Sequence, residues 1–140
     1  TVDWWLTGED APDANNRVLL KNGKITLDYK ANNMTAFKRL IQRWIGIVRE
    51  VDNQGHLLPI SWYFSKILPV GAIAHQVGTC RFGPDPATSV LDLNCKAHDL
   101  DNLYVVDGSF FPSSAAVNPS LTIMANAMRV GDHLLERLQS

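Results

Sequence analysis

A stretch rich in proline and glycine interrupts this sequence between residues 57 and 86 and divides it into two patterned parts. The stretch has no helical or strand period, and its breakers are Pro59, Pro69, Gly71, Gly78, Gly83, Pro84 and Pro86. Because proline removes a backbone donor and glycine loosens the backbone, neither a helix nor a strand is expected to run through it. Loops of this length in compact domains are more often functional than not. The patterned parts on either side therefore have to be interpreted separately.

The part before the breakers opens with a predicted β-hairpin. Two short apolar runs, Val18–Leu20 and Ile25–Tyr29, flank an Asn22-Gly23 pair, and both residue types tolerate the positive φ of a tight turn. In the second run apolar residues alternate with Thr26 and Asp28. One face of that strand, carrying Ile25, Leu27 and Tyr29, should therefore be buried.

A long amphipathic helix is predicted next, over Met34–Val51. Asn32 and Asn33 precede it and offer side-chain oxygens for its first N–H groups. Apolar side chains recur at three- and four-residue spacing, which is typical of a helix with one buried face. They are Met34, Phe37, Ile41, Trp44, Val48 and Val51, and the opposite face carries Lys38, Arg39, Gln42, Arg43 and Arg49.

After the breakers the sequence predicts one short strand and a final helix. Leu103–Val106 is a compact apolar run that ends at Asp107-Gly108, as a buried strand before a turn does. Asn118-Pro119 is typical of a helix start, with asparagine as the N-cap and proline at the first helical position. One face of the helix is defined by Leu121, Met124, Met128, Leu135 and Leu138. We expect the methionines in the core, and the mixture of elements predicts an α+β fold.

The composition excludes several classes of partner. The formal net charge is -1, from 13 basic and 14 acidic residues without a long run of either sign, so neither nucleic acid nor an anionic membrane surface is indicated. No window approaches the roughly 18 consecutive apolar residues of a membrane span, so we expect a soluble chain, with the cytoplasm as the default compartment. Cys80 and Cys95 lack the spacing of a zinc site, so no metal is expected, and a disulfide between them stays open.

His75 is the candidate general base. It lies in Ala74-His75-Gln76-Val77-Gly78, and imidazole is the side chain whose ordinary pKa, about 6.5, suits proton abstraction near neutrality. A lone histidine in a loop is more often a surface residue or a hydrogen-bond partner. From the residues alone, both interpretations stay open.

Two further segments have the chemistry of a cofactor site. A strand that ends at Asp107-Gly108 would deliver them to the sheet edge at which α/β proteins place cofactors. The helix start at Asn118–Ser120 leaves free N–H groups that can hold negative charge. A plain turn and a plain helix cap explain the same residues without a cofactor. A hydrolase built on Ser109 is not favoured, because no Gly-x-Ser-x-Gly surrounds it.

Taken together, His75–Gly83, Leu103–Pro112 and Asn118–Leu138 resemble the C-terminal motifs of the glucose-methanol-choline (GMC) oxidoreductases in order and separation. Asn16–Arg49 is similar to the strand-and-helix part of that family's substrate domain. The resemblance implies that residues 1–72 belong to the substrate-binding domain. Residues 73–140 would supply the last strand and helix of the FAD-binding domain, with the complete Rossmann half absent.

The resemblance also implies a mechanism, the oxidation of a small-molecule alcohol by FAD. His75 would take the hydroxyl proton while hydride leaves the carbinol carbon for flavin N5, and Asn118 would hold the alcohol oxygen. Asp107, Gly108, Asn118, Pro119 and Ser120 match positions that contact the flavin.

The sequence departs from the family pattern at three points. Phe82 stands where methionine is usual, and His98-Asp99 replaces a His-Gly turn. No Gly-x-Gly-x-x-Gly follows a strand, so FAD would be bound mainly by an N-terminal half that these residues lack, which is then an expected partner. Because the sequence opens at Thr1 without methionine, we expect a fragment. The alternative is a non-catalytic truncated module or a partner-binding domain.

Overall fold

A computed structural model describes residues 4–51, 68–114 and 117–139. Its contacts divide the chain into two compact units. One comprises Thr1–Asp10 and Ala31–Ala74, and the other comprises Ala11–Lys30 and His75–Ser140. The assignment of residues 1–72 and 73–140 to two ligand-binding domains stays a prediction, because compactness alone does not say what a unit binds.

The first unit is built on helix α1, Met34–Val51, which has the predicted bounds. The first helical bond runs from the Phe37 N–H to the Asn33 carbonyl. Residues 4–10 pack along the helix, since the rings of Trp4 and Trp44 meet edge to face with centroids 4.9 Å apart. The segment is also held by a 3.0 Å bond from the Asn32 N–H to the Asp10 carboxylate.

The second unit begins with the predicted hairpin. Strand β1, Arg17–Lys21, pairs antiparallel with β2, Lys24–Asp28. The turn residues Asn22 and Gly23 have φ values of 52° and 73°, as a two-residue hairpin turn requires.

The predicted burial of one hairpin face is wrong. Ile25 is 83% exposed and Leu27 is 51% exposed. The register places Ile25 opposite Leu20 and Leu27 opposite Val18, so these apolar side chains share one face. A two-stranded hairpin covers such a face only when another layer packs on it. In the described structure that face stays largely exposed.

The core of the second unit is small and lies between a folded loop region and the last helix. Isolated bridges join Phe82 with Leu91, Leu91 with Ala97, and Lys96 with Tyr104. The Phe110 ring lies edge to face on Phe82, with centroids 5.5 Å apart. Phe82, which departs from the family's usual methionine, is therefore accommodated by an aromatic contact. Among the described residues, the buried hydrophobic core consists of Leu91, Cys95, Ala97, Phe110 and Val130.

The predicted strand over Leu103–Val106 does not form as a strand of a sheet. Tyr104 makes a single antiparallel bridge with Lys96, and the Val105 N–H bonds the Cys95 carbonyl at 3.0 Å. A strand needs a neighbour along its whole length, and in the described residues the backbone of this segment pairs only with the loop of residues 95–97. Over the residues that the structure describes, the fold is α+β with two strands and two α-helices.

Helix α2, Ser120–Gln139, carries two apolar stripes. Val130 is buried, and Ile123 and Leu134 pack against the core. The expectation that Met124 and Met128 lie in the core is wrong, because they are 57% and 74% exposed. Spacing identifies apolar positions on a helix, but it does not say which of two stripes meets the core. In the described residues, neither helix is long and apolar enough to cross a membrane.

Candidate functional site

A short backbone ladder joins two of the three motifs. The N–H groups of Gly78, Cys80 and Phe82 donate in turn to the carbonyls of Gly108, Ser109 and Phe110, at 3.4, 3.0 and 3.1 Å. The donor residues are two positions apart, whereas the acceptor residues are consecutive. This difference arises because Gly108–Phe110 is a 3₁₀ turn, which rises less per residue than an extended segment. The loop of the candidate base is thereby fastened to the segment of Asp107 and Gly108.

Gly108 lies where all three motifs meet. A Cβ at this position would lie 3.3 Å from Val77 Cγ1 and 3.4 Å from Ile123 Cδ1. Val77 belongs to the His75 loop and Ile123 to the first turn of α2. A side chain at Gly108 would press on Val77 and touch Ile123, so glycine permits this close packing.

Asp107 caps the 3₁₀ turn. Its carboxylate accepts a bond from the Ser109 N–H at 2.8 Å and another from the Ser109 hydroxyl. These two hydrogen bonds lower the pKa of the Asp107 carboxyl below its ordinary value of 3.8, and the hydroxyl bond has the larger effect. Partial burial opposes this shift. The carboxylate is therefore charged at neutral pH. The Ser109 hydroxyl is directed to Asp107, which gives no support to a serine nucleophile.

Helix α2 begins one residue later than the sequence predicted. The Ile123 N–H bonds the Pro119 carbonyl at 3.0 Å, so Pro119 occupies the cap position that was expected for Asn118. The N–H groups of Ser120, Leu121 and Thr122 precede the first helical donor, and such groups have no acceptor within a helix. They form the positive end of the helix dipole.

A small hollow lies beside this helix start. Its volume is about 30 Å³. This is room for one water molecule or one small polar group. Its lining combines the His75 loop, the 108–114 segment and α2, through Val77, Phe111, Ser114, Val117, Asn118, Pro119 and Thr122. A hydroxyl or ring carbonyl placed here would lie beside the Asn118 carboxamide and the helix start.

His75 does not line the hollow, although its loop does. Its side chain is exposed and its backbone has a φ of 73°, which is rare for a residue with a side chain. The structure therefore brings Val77 and Asn118 together, with Pro119 beside them, and it holds Asp107 and Gly108 next to the same loop. Ser120 is exposed as the first helical residue.

Sequence reasoning missed Val77, Phe111 and Thr122 in this hollow. Thr122 lies four residues after Asn118, and Val77 lies within the quoted His75 motif, so spacing could have suggested both. Phe111 carries no such signal. It lines the hollow because its ring stacks on the buried Phe110, with centroids 4.4 Å apart.

A second histidine, His98, lies near Ser89. The sequence did not indicate this pair. His98 Nε2 lies 3.1 Å from Ser89 Oγ and 3.2 Å from the Gly83 carbonyl oxygen. Ser89 Oγ lies 3.0 and 2.8 Å from the carbonyls of Gly83 and Asp85, which can only accept its proton. A carbonyl partner likewise requires that Nε2 carry hydrogen. This pair ties a loop together and does not form a nucleophile and base.

Comparisons with known proteins place these motifs in one family. The family model described as GMC oxidoreductase matches residues 63–127. 6'''-hydroxyparomomycin C oxidase of Streptomyces lividus is 48% identical over 65 residues, which cover 46% of this chain and 12% of that protein. Paromamine 6'-oxidase of Streptomyces fradiae is 54% identical over 55 residues, covering 39% of this chain and 10% of that protein.

A third relative is 2-methyl-1,2-propanediol dehydrogenase of Mycolicibacterium austroafricanum. It is 46% identical over 63 residues, which cover 45% of this chain and 11% of that protein. The matches thus span about a tenth of the length of these three relatives. They confirm the family that the three motifs indicated. Residues 63–127 are therefore similar to the C-terminal region of the GMC oxidoreductases.

Proposed function

We propose that this chain carries the proton-accepting and alkoxide-holding part of an FAD-dependent oxidoreductase that acts on the CH–OH group of a small-molecule alcohol. The observation that carries the proposal is the convergence of three motifs. The ladder fastens the His75 loop to Gly108–Phe110. Val77 of the same loop and Asn118 at the start of α2 line one hollow.

The donors beside the hollow fit the electron-rich edge of a flavin. The first N–H groups of α2 and its dipole favour negative charge, and the Asn118 carboxamide adds a further donor. Asp107, Gly108, Asn118, Pro119 and Ser120 would contact the flavin. The hollow, at about 30 Å³, matches one ring carbonyl or one hydroxyl. The sequence contains no Gly-x-Gly-x-x-Gly, so the pyrophosphate would be bound mainly by an N-terminal half of the enzyme outside these residues.

FAD, when bound, would supply the two-electron acceptor for the hydride of the carbinol C–H bond. His75 would accept the hydroxyl proton on its imidazole as that C–H bond breaks, which leaves a carbonyl product. Asn118 would donate a hydrogen bond to the alcohol oxygen as negative charge develops on it. These two residues are the proposed catalytic pair.

The substrate class follows from the relatives. One is named as a dehydrogenase of a diol, and two are named as oxidases. A CH–OH group is therefore the proposed site of oxidation, and the walls of Val77, Phe111 and Val117 would meet the apolar part of a ligand.

The role of His75 is tested in the full-length gene product that contains this chain. His75→Ala should slow alcohol-dependent flavin reduction by roughly 100- to 10,000-fold, the usual cost of removing a general base. His133→Ala is the matched control, because this histidine faces the Tyr104 ring at 6.4 Å and lies in none of the proposed roles. Rapid-mixing absorbance measures both rates. Turnover within a few-fold of wild type in a folded His75→Ala protein would refute the assignment.

A further inference from the structure

Gly78 combines three features that separate it from the other glycines described. Its φ is +88°, in the region that L side chains rarely adopt. A Cβ there would lie 3.1 Å from the Phe111 carbonyl oxygen. Its N–H also begins the ladder, at 3.4 Å from the Gly108 carbonyl. We infer that Gly78 is a positioning residue for His75, an inference that rests on the proposed function of that histidine.

The contact with Phe111 is the reason that a side chain would matter here. The facing atom is a backbone oxygen, which cannot rotate away as the end of a flexible side chain can. The Phe111 ring is stacked on the buried Phe110, so its backbone is anchored in the core. A side chain at position 78 must therefore shift the His75 loop against Phe111 by a few tenths of an ångström.

The backbone of His75 explains why the displacement reaches the imidazole. His75 has a φ of +73°, which is unfavourable for a residue with a side chain and persists only where the surroundings impose it. The ladder from Gly78 to Phe82 fixes the chain on the C-terminal side of this residue. Loosening its first rung frees His75 to return to an ordinary conformation, which turns its side chain elsewhere.

The test compares Gly78→Ala with Gly23→Ala in the full-length gene product. Both glycines have positive φ, but a Cβ at Gly23 would meet nothing within 4 Å. The control thus reproduces the backbone strain without the contact. We expect Gly78→Ala to lower kcat for the alcohol at least tenfold, with KM and flavin content changing little, and Gly23→Ala to stay within about twofold.

A double-mutant cycle separates positioning from a general structural effect. On a His75→Ala background Gly78→Ala should cause little further loss, because a residue that acts through His75 has nothing left to position. The same fold-loss on both backgrounds would overturn the inference, as would full activity of Gly78→Ala.

Hydrogen exchange supplies a readout that does not depend on activity. The amides of Cys80 and Phe82 should exchange faster in Gly78→Ala than in wild type or Gly23→Ala, and unchanged exchange would overturn the inference. If Gly78→Ala does not fold, Gly78→Asn replaces it, since asparagine tolerates positive φ while keeping the contact. Unchanged turnover in His75→Ala would refute the proposed function and not the role of Gly78. The exchange rates of the Cys80 and Phe82 amides would then show whether Gly78 holds the loop.

Discussion

The Asp107–Ser109 pair provides a pH test at the scale of single residues. Ser109 lowers the pKa of Asp107 through its hydroxyl and its N–H. A carboxyl with a lowered folded-state pKa stabilises the fold above its unfolded pKa, and this contribution is lost as the pH falls through the folded value. Ser109→Ala removes the larger cause, so the Asp107 pKa should rise towards 3.8.

The measurement is the melting temperature of the chain between about pH 5 and pH 2, in wild type and Ser109→Ala. The variant should be less stable at the upper end of this range, and the difference should shrink as acid protonates Asp107. Ser113→Ala, at an exposed neighbouring position, is the control. A difference that does not change with pH would contradict the assigned cause.

Asn118 and Asn126 separate catalysis from stability. Pro119 occupies the cap position of α2, so Asn118→Ala should leave stability within about 0.5 kcal/mol while slowing flavin reduction roughly 10- to 1,000-fold. The half-buried Asn126 carboxamide donates to the Sγ of the buried Cys95 at 3.3 Å. Asn126→Ala should instead lower stability and leave the rate nearly unchanged.

Chemical denaturation measures the free energy of unfolding of each variant, and single-turnover kinetics measures its rate of flavin reduction. Loss of stability with an unchanged rate in Asn118→Ala would show that this residue is a structural cap.

At the scale of residues, the sequence indicated which side chains are candidates for the site, but it did not indicate the backbone conformation of the chain around them. Asn118 and Asp107 stand out because their types and neighbours have recognisable chemistry. The left-handed backbone of His75 and the approach of Gly78 to Phe111 depend on contacts between distant segments, which no local pattern encodes.

At the scale of elements, the features set by local interactions were predictable. The hairpin follows from Asn22-Gly23, and the bounds of α1 follow from apolar periodicity. The prediction of a strand over Leu103–Val106 was wrong. A strand forms only where a segment distant in sequence pairs with it, and the local sequence does not show that neighbour. Which stripe of α2 is buried likewise depends on what packs against it.

The two stripes of α2 give a matched stability test in the 140-residue chain. Val130 is 1% exposed, whereas Met128 is 74% exposed two residues away. Val130→Ala should lower the free energy of unfolding by about 2 kcal/mol, from lost burial and the remaining cavity. Met128→Ala should change it by less than about 0.5 kcal/mol. Denaturant titration measures both, and equal losses would place both stripes in the core.

At the scale of the whole molecule, the described residues form two compact units with a small core in the second. The three motifs of the second unit converge on one hollow. The family match over residues 63–127 covers the first two motifs completely and the third in part. A cofactor that is itself larger than this hollow needs further protein around it. The need for further protein stays a prediction, made from the absence of a dinucleotide fingerprint in the sequence.

The proposed function requires a bound flavin that an alcohol reduces. The most direct measurement is the visible absorption spectrum of the full-length gene product, recorded without oxygen before and after addition of primary and secondary alcohols. We predict a yellow protein whose flavin absorbance in the blue is bleached by at least one alcohol, and a much slower loss in His75→Ala. A colourless protein that takes up no added FAD, or a flavin bleached equally fast in His75→Ala, would contradict the account.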